Sequence, residues 1–210
     1  MGAKPWSHQA SLKREPIPTQ NELLTSIDLI PSKRDRALVA IAYLTGGRIS
    51  ELVREDNLKK TTYKKGKVDK VEIIKLDYKG ISKKNMTLQK IKGKSLLVID
   101  IQNRKNKNKP RKTIPIPIDK EQEFVDIIAA YTSTLNPNDP LFTFNKHRAY
   151  QIMIEHMNMN CHFFRDIRAT HLVTLHGLGD FKLVKYMGWS DARPASRYVQ
   201  LDWKDIWGGK

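Results

Sequence analysis

A chain of 210 residues, 40% of them hydrophobic, is long enough to bury a sizeable core as a single domain. Its 38 Lys and Arg against 22 Asp and Glu give a net charge of +16, and the excess is concentrated: from Lys59 to Lys112, nineteen basic residues face four acids (Asp69, Glu72, Asp77, Asp100), a local net of +15. A single cysteine, Cys161, excludes an intrachain disulfide and a cysteine-rich zinc site and fits a reducing, cytoplasmic setting; no apolar run is long enough to span a bilayer, and "MGAKPWSHQASLKREP" lacks the apolar stretch of a secretory signal.

Residues 1–17 are polar and proline-containing, which predicts a flexible N-terminal segment. "PTQNELLTSIDLI" (18–30) reads as a short helix, and "SKRDRALVAIAYLTGG" (32–47) as a clearer one, with Ala37, Leu38, Ile41, Ala42 and Leu44 in an apolar stripe and Gly46-Gly47 as its stop. "ISELVREDNL" (49–58) predicts a further short helix. The basic stretch then turns to strand patterning in "VEIIKLDY" (71–78), "SLLVIDIQ" (95–102) and "TIPIPI" (113–118), so that 57–118 forms a basic β-sheet region. The polar "NRKNKNKPRK" between the last two makes them a hairpin with a basic tip, and Pro115 and Pro117, which lack an N–H, confine the second strand to an edge.

After Asp119 the helical spacing returns in "DKEQEFVDIIAAYTSTL", which ends at Asn136-Pro137, then in "NKHRAYQIMIEHMN" and "CHFFRDIRATHLVTLHGLG" (161–179), and in a short helix from Asp180 as N-cap to Met187. Pro194 suits the first turn of a last helix, on which Val199, Trp203, Ile206 and Trp207 form an apolar stripe; it packs on the chain's own core or docks into a neighbouring protomer. With no internal repeat and no second hydrophobic run, the expected architecture is one α+β domain.

A stretch as basic as 59–112 attracts a polyanion, nucleic acid first among them; the plainer reading is a solvated lysine-rich surface. Lys83, Lys84, Lys90, Lys92, Lys94, Lys107, Lys109 and Arg111 are the candidate groups for gripping backbone phosphates. Arg48 follows two glycines at a helix end, with Glu51 three residues on to orient its guanidinium; alternatively its charge answers the helix dipole. His162 and Arg165, three apart, project from one face of a helix. Two arginines can clamp a phosphodiester and a histidine can handle a proton, while an indole N–H such as that of Trp189 only donates. A lysine at a hairpin tip can protonate a leaving alkoxide, and a tyrosine, with a pKa of about 10 in water, becomes a usable nucleophile where cations stabilise its phenolate. The remaining histidines (His8, His147, His156, His171, His176) call for no role beyond packing or facing water.

"LTGGRISEL", "HFFRDIRATHL" and "MGW…RY" resemble, in order, the three signature boxes of the tyrosine recombinase (phage-type integrase) family, with Trp189 and Tyr198 nine positions apart as that pattern requires. The resemblance covers roughly residues 30–203. It implies a mainly helical catalytic domain with a small antiparallel sheet over 18–203, followed by a tail, 204–210. By position it makes Arg48 and Arg165 the phosphate-binding arginines, His162 the histidine of the second box, Trp189 the donor of the third, and Tyr198 the nucleophile that forms a 3′-phosphotyrosine link. The hairpin lysine of the family falls on Lys105, where the strand ends, or on Lys107, counting back from Thr113. The resemblance implies no metal, no other cofactor and no ATP, a double-stranded DNA partner, a homo-oligomer, a tetramer, assembled on that DNA, and a prokaryotic or viral context.

Three residues depart from the family pattern: Asp166 in place of a frequent second histidine, Arg168 in place of an apolar residue, and Phe164 in place of leucine, all expected to alter the edge of the pocket. Residues 1–31 are too few for the helical DNA-binding domain that the family carries ahead of the catalytic one. The chain is then a catalytic domain alone or a piece of a longer protein, and the basic stretch 59–112 takes the place of the missing clamp. Two rival readings are a relaxing activity like that of type IB topoisomerases and a DNA-binding regulator that does not cut.

Overall fold

The computed structural model describes residues 16–64, 67–102, 111–195 and 199. Among them the chain runs α1 (Gln20–Asp28), α2 (Lys33–Thr45), α3 (Ile49–Leu52), β1 (Glu55–Lys64), β2 (Lys67–Tyr78), β3 (Met86–Ile91), β4 (Lys94–Gln102), β5 (Arg111–Pro117), α4 (Ile118–Thr132), α5 (Lys146–Met157), α6 (Phe163–Thr174) and α7 (Asp180–Met187). No helix among the described residues is long and apolar enough to cross a membrane.

Helix α2 is the axis of the fold. Ser32 caps its N-terminus by accepting from the Asp35 N–H, and every residue from Ala37 to Thr45 is buried. It packs against α1, α4, α5 and α6, so the apolar stripe read from the sequence is only part of an all-round buried surface. Helix α1 starts with a capping box, in which Thr19 Oγ1 accepts from the Glu22 N–H while Glu22 Oε2 accepts from the Thr19 N–H. Asn145 caps α5, its side chain accepting from the His147 and Arg148 N–H groups.

Strands β3, β4 and β5 form one antiparallel sheet in that order. Pro115 and Pro117 lie on its edge strand β5, where the missing N–H donors face no partner. Burial alternates along β5, which turns Lys112, Ile114 and Ile116 inward.

The helix predicted over 49–58 forms only over its first four residues. Helix α3 stops at Leu52, Val53 turns extended (φ −112°, ψ 169°), and the chain leaves as β1, paired only with β2 in a separate two-stranded ribbon. The ribbon departs and returns at the same spot. Ile81 N–H donates to the Leu52 carbonyl at 3.1 Å, and Gly80 (φ +86°) lies so close that a Cβ there would stand 2.8 Å from that same oxygen. Helix α7 begins one residue earlier than predicted, at Asp180, with Gly179 rather than Asp180 at the N-cap.

Candidate active site

The C-terminal carbonyls of a helix lack intrahelical partners, and here three in a row are met by side chains from three other elements. Tyr186 Oη of α7 donates to the Leu44 carbonyl at 2.6 Å, and Lys112 Nζ of β5 donates to the Thr45 carbonyl at 3.1 Å. Arg165 Nη1 of α6 donates to the Gly46 carbonyl. Arg165 is a cation, which also suits the negative end of the α2 dipole, and Lys112 becomes one when protonated.

Gly46 takes the left-handed conformation that ends α2 (φ +50°), and a Cβ on it would meet Met187 Cε at 3.0 Å. Two residues on, Arg48 caps α3. Its N–H and Nη1 both donate to Glu51, at 2.9 Å to Oε2 and 3.0 Å to Oε1. The Glu51 side chain is 3% exposed and that of Arg48 30%, so the guanidinium is held from behind with one side toward solvent. The Glu51 carbonyl in turn accepts from Tyr78 Oη at 2.6 Å.

Helix α7 ends in a Schellman motif. The Gly188 N–H donates to the Lys185 carbonyl and the Trp189 N–H to the Val184 carbonyl, with Gly188 at φ +68°. That turn buries Trp189 to 5% exposure and sets Gly188 over the stem of Lys112, where a Cβ would stand 3.0 Å from Cδ. The end of α2, Arg165 on α6 and the Met187–Trp189 turn are thus in direct contact through Gly46, Gly188 and Lys112. Arg165 is 1% exposed and forms the floor; His162 stands exposed where α6 begins, with Asn160 Oδ1 accepting from its N–H at 2.9 Å.

Lys112 was not singled out by the sequence reading. Burial, followed by the nearby Arg165, pulls its ammonium down to about 7; Glu51 opposes the shift, and Arg48 and Arg168 add to it. The signal that would have found it is the alternation Lys112–Ile114–Ile116, which places a lysine on the inward face of an edge strand.

Arg168, expected at the edge of the pocket, is wholly buried instead. It pairs with Glu121 through Nη1 and donates from Nη2 to Tyr186 Oη at 2.9 Å. Glu121 also meets His176 Nε2 at 2.9 Å and accepts from Gln20 Nε2 at 3.1 Å, and Gln20 donates to Tyr43 Oη. Tyr43 Oη lies 2.9 Å from His171 Nδ1, and His171 Nε2 lies 2.9 Å from the Pro18 carbonyl. A carbonyl only accepts, so Nε2 carries the proton and Nδ1 accepts from the tyrosine. Burial depresses His171 to about 4, which keeps this tautomer neutral. Burial likewise lifts the half-buried Cys161 thiol to about 11.

The basic candidates fall in separate places. Lys90, Lys92 and Lys94 crowd the exposed turn between β3 and β4, where Lys92 (φ +50°) and Gly93 (φ +80°) make the two-residue connection. Lys83 and Lys84 lie before β3, donating to the Leu135 carbonyl at 2.9 Å and to Asn138 Oδ1 at 3.2 Å. Arg111 is exposed at the start of β5. Tyr198, Lys105, Lys107 and Lys109 lie outside the described residues, as do Trp203, Ile206 and Trp207 of the C-terminal stripe. Val199 packs against the core, its N–H donating to the Ala195 carbonyl at 2.8 Å.

No family model matches this chain, and no curated protein matches it in sequence. Solved structures do. XerA recombinase superposes with a TM-score of 0.55 at 12% identity, over 91% of this chain and 62% of that one. The XerH site-specific recombinase bound to its difH substrate, before cleavage, gives 0.53 at 16% identity over 91% and 53%. The fold is that of tyrosine recombinase catalytic domains. XerH in its post-cleavage complex with palindromic difH gives 0.50 at 16% identity over 90% of this chain and 50% of that one, so the chain spans half to about three-fifths of the recombinases it resembles.

Proposed function

We propose that this chain is a site-specific DNA recombinase or integrase that breaks and rejoins strands through a 3′-phosphotyrosine link. The observation that carries the reading is the convergence on the end of α2: Arg165 bonds the Gly46 carbonyl two residues before Arg48, which Glu51 holds from behind, and Gly188, next to Trp189, lies on the stem of Lys112, whose Nζ bonds the Thr45 carbonyl. Two guanidiniums there receive the non-bridging oxygens of a phosphodiester, and the Trp189 indole N–H adds a donor that can never compete as an acceptor.

Tyr198 Oη then bonds to phosphorus as the bond to the 5′ oxygen breaks. The phenol proton passes to His162, and the departing 5′ oxygen takes a proton from Lys105 or Lys107. One phosphoester replaces another, so a second 5′-hydroxyl reverses the step with no ATP and no metal. Double-stranded DNA as the substrate is supported by the fold shared with XerH, a site-specific recombinase solved bound to difH substrates in pre-cleavage and post-cleavage complexes. Assembly as a homo-oligomer, a tetramer on DNA, belongs to the same reading, with Lys83, Lys84, Lys90, Lys92, Lys94, Lys107, Lys109 and Arg111 gripping backbone phosphates.

A nicked suicide substrate tests it: the cut strand diffuses away and traps the covalent adduct. Adduct with the wild-type chain and none with Tyr198→Phe supports the enzyme. DNA affinity without adduct makes the protein a non-cutting regulator. Adduct together with relaxation of supercoiled plasmid, but no exchange between sites, makes it a topoisomerase-like relaxing enzyme.

A further inference from the structure

The most unusual group in the molecule that this chemistry leaves unused is the buried lysine on β5. Lys112 is 7% exposed. Its stem runs beneath Gly188, and its Nζ ends on the Thr45 carbonyl. It thereby touches the turn that leads to Arg48 and the turn that carries Trp189, and it sits beside Arg165. A lysine contributed to a core for packing alone would be poorly chosen, because burial removes the hydration of its charge and three arginines surround it.

We propose that Lys112 is a positioning residue of the phosphate cradle: the internal amine that ties the end of α2 to the α7 turn and, protonated when a phosphodiester binds, lends it a positive charge. The inference rests on the cradle reading given under the proposed function. The charged groups that face it are Arg48 and Glu51 from α3 and Arg165 and Arg168 from α6. From α2 and α7 it meets the Thr45 carbonyl and the Gly188 backbone.

With the site empty, the arginines and burial favour the neutral amine, and Glu51 alone among these neighbours favours the ammonium. A phosphodiester adds a negative charge at the same place and shifts the balance to the ammonium. Binding near neutral pH then takes up a proton, since a duplex phosphodiester has no group of its own that titrates there.

The experiment is calorimetric titration of the full chain with a short duplex at pH 7.5, repeated in buffers of different ionisation heat. It compares wild type with Lys112→Arg and Lys112→Met, and thermal melts report whether each variant folds. Proton uptake by the wild type, absent in Lys112→Arg (always charged) and in Lys112→Met (never charged), supports the proposal. If Lys112→Met does not fold, wild type against Lys112→Arg decides. No uptake by the wild type, or equal uptake by all folded variants, overturns it. The two readings fail separately: uptake without a suicide-substrate adduct leaves this role standing and removes the enzyme, whereas adduct without uptake removes this role alone.

Discussion

Arg165 Nη1 donates to the carbonyl of Gly46, joining two residues 119 positions apart in the chain. The arginine proposed to hold a phosphate thereby also holds the turn from which Arg48 emerges.

Replacing Arg165 should therefore do two separable kinds of damage. Arg165→Met leaves the buried Gly46 carbonyl without this donor, which costs about 1–3 kcal/mol, read as a lower denaturation midpoint. Arg165→Lys should recover much of that stability yet still form far less suicide-substrate adduct, because an ammonium cannot bind two oxygens in parallel. Full adduct formation by Arg165→Lys would remove the bidentate role.

The Arg168–Glu121 pair lies at 0% side-chain exposure on both sides, so removing one partner strands the other. Arg168→Met should destabilise the fold by about 3–5 kcal/mol, whereas the double change Arg168→Met with Glu121→Leu should restore much of the loss. Equilibrium unfolding of the single and double variants checks the coupling.

Acid should weaken the fold through His171. Its folded pKa of about 4 lies below the ordinary value of 6.5, so the neutral ring's contribution is complete above pH 6.5 and disappears as pH falls toward 4. The loss amounts to about 3 kcal/mol at the bottom of that window. Urea midpoints at pH 7 and pH 4.5 measure it, and His171→Phe should flatten the slope between them.

Salt dependence should separate the two lysine groups. Lys90, Lys92 and Lys94 crowd an exposed turn, while Lys83 and Lys84 already donate to the segment that follows α4. Neutralising the first three with glutamine should lower the slope of log affinity against log salt by about 2–3, and neutralising the second pair by less than about 1. Equal slopes for all variants would take this turn out of the DNA contact.

Much of the helical layer was legible because α2, α4, α5 and α6 carry long apolar periodicity and bounded ends, and the β4–β5 hairpin because its polar turn and prolines are local signals. Strand β3 was missed: its six residues are almost all exposed and give no inward face to read. The start of the ribbon was misread because Ile49, Leu52 and Val53 have helical spacing, while the extended turn at Val53 answers to a partner strand some twenty residues on. At the site, Arg48, Arg165 and Trp189 stood out by motif, Arg168 stood out only as a departure from it and was placed at the pocket edge rather than in the core, and Lys112 did not stand out. The reason for an inward cation is the set of groups around it, and Glu121 comes 47 residues before Arg168 in the chain.

The two-stranded ribbon has a consequence for how this molecule could be altered. Its roots touch, so a chain cut at Val53 and rejoined at Gly80 would bypass the ribbon without pulling α3 away from the sheet. That shortcut would also take away Tyr78, whose Oη holds the Glu51 carbonyl behind Arg48, so the outgrowth is an interchangeable attachment only beyond its root, where it can be trimmed or exchanged while that donor is kept.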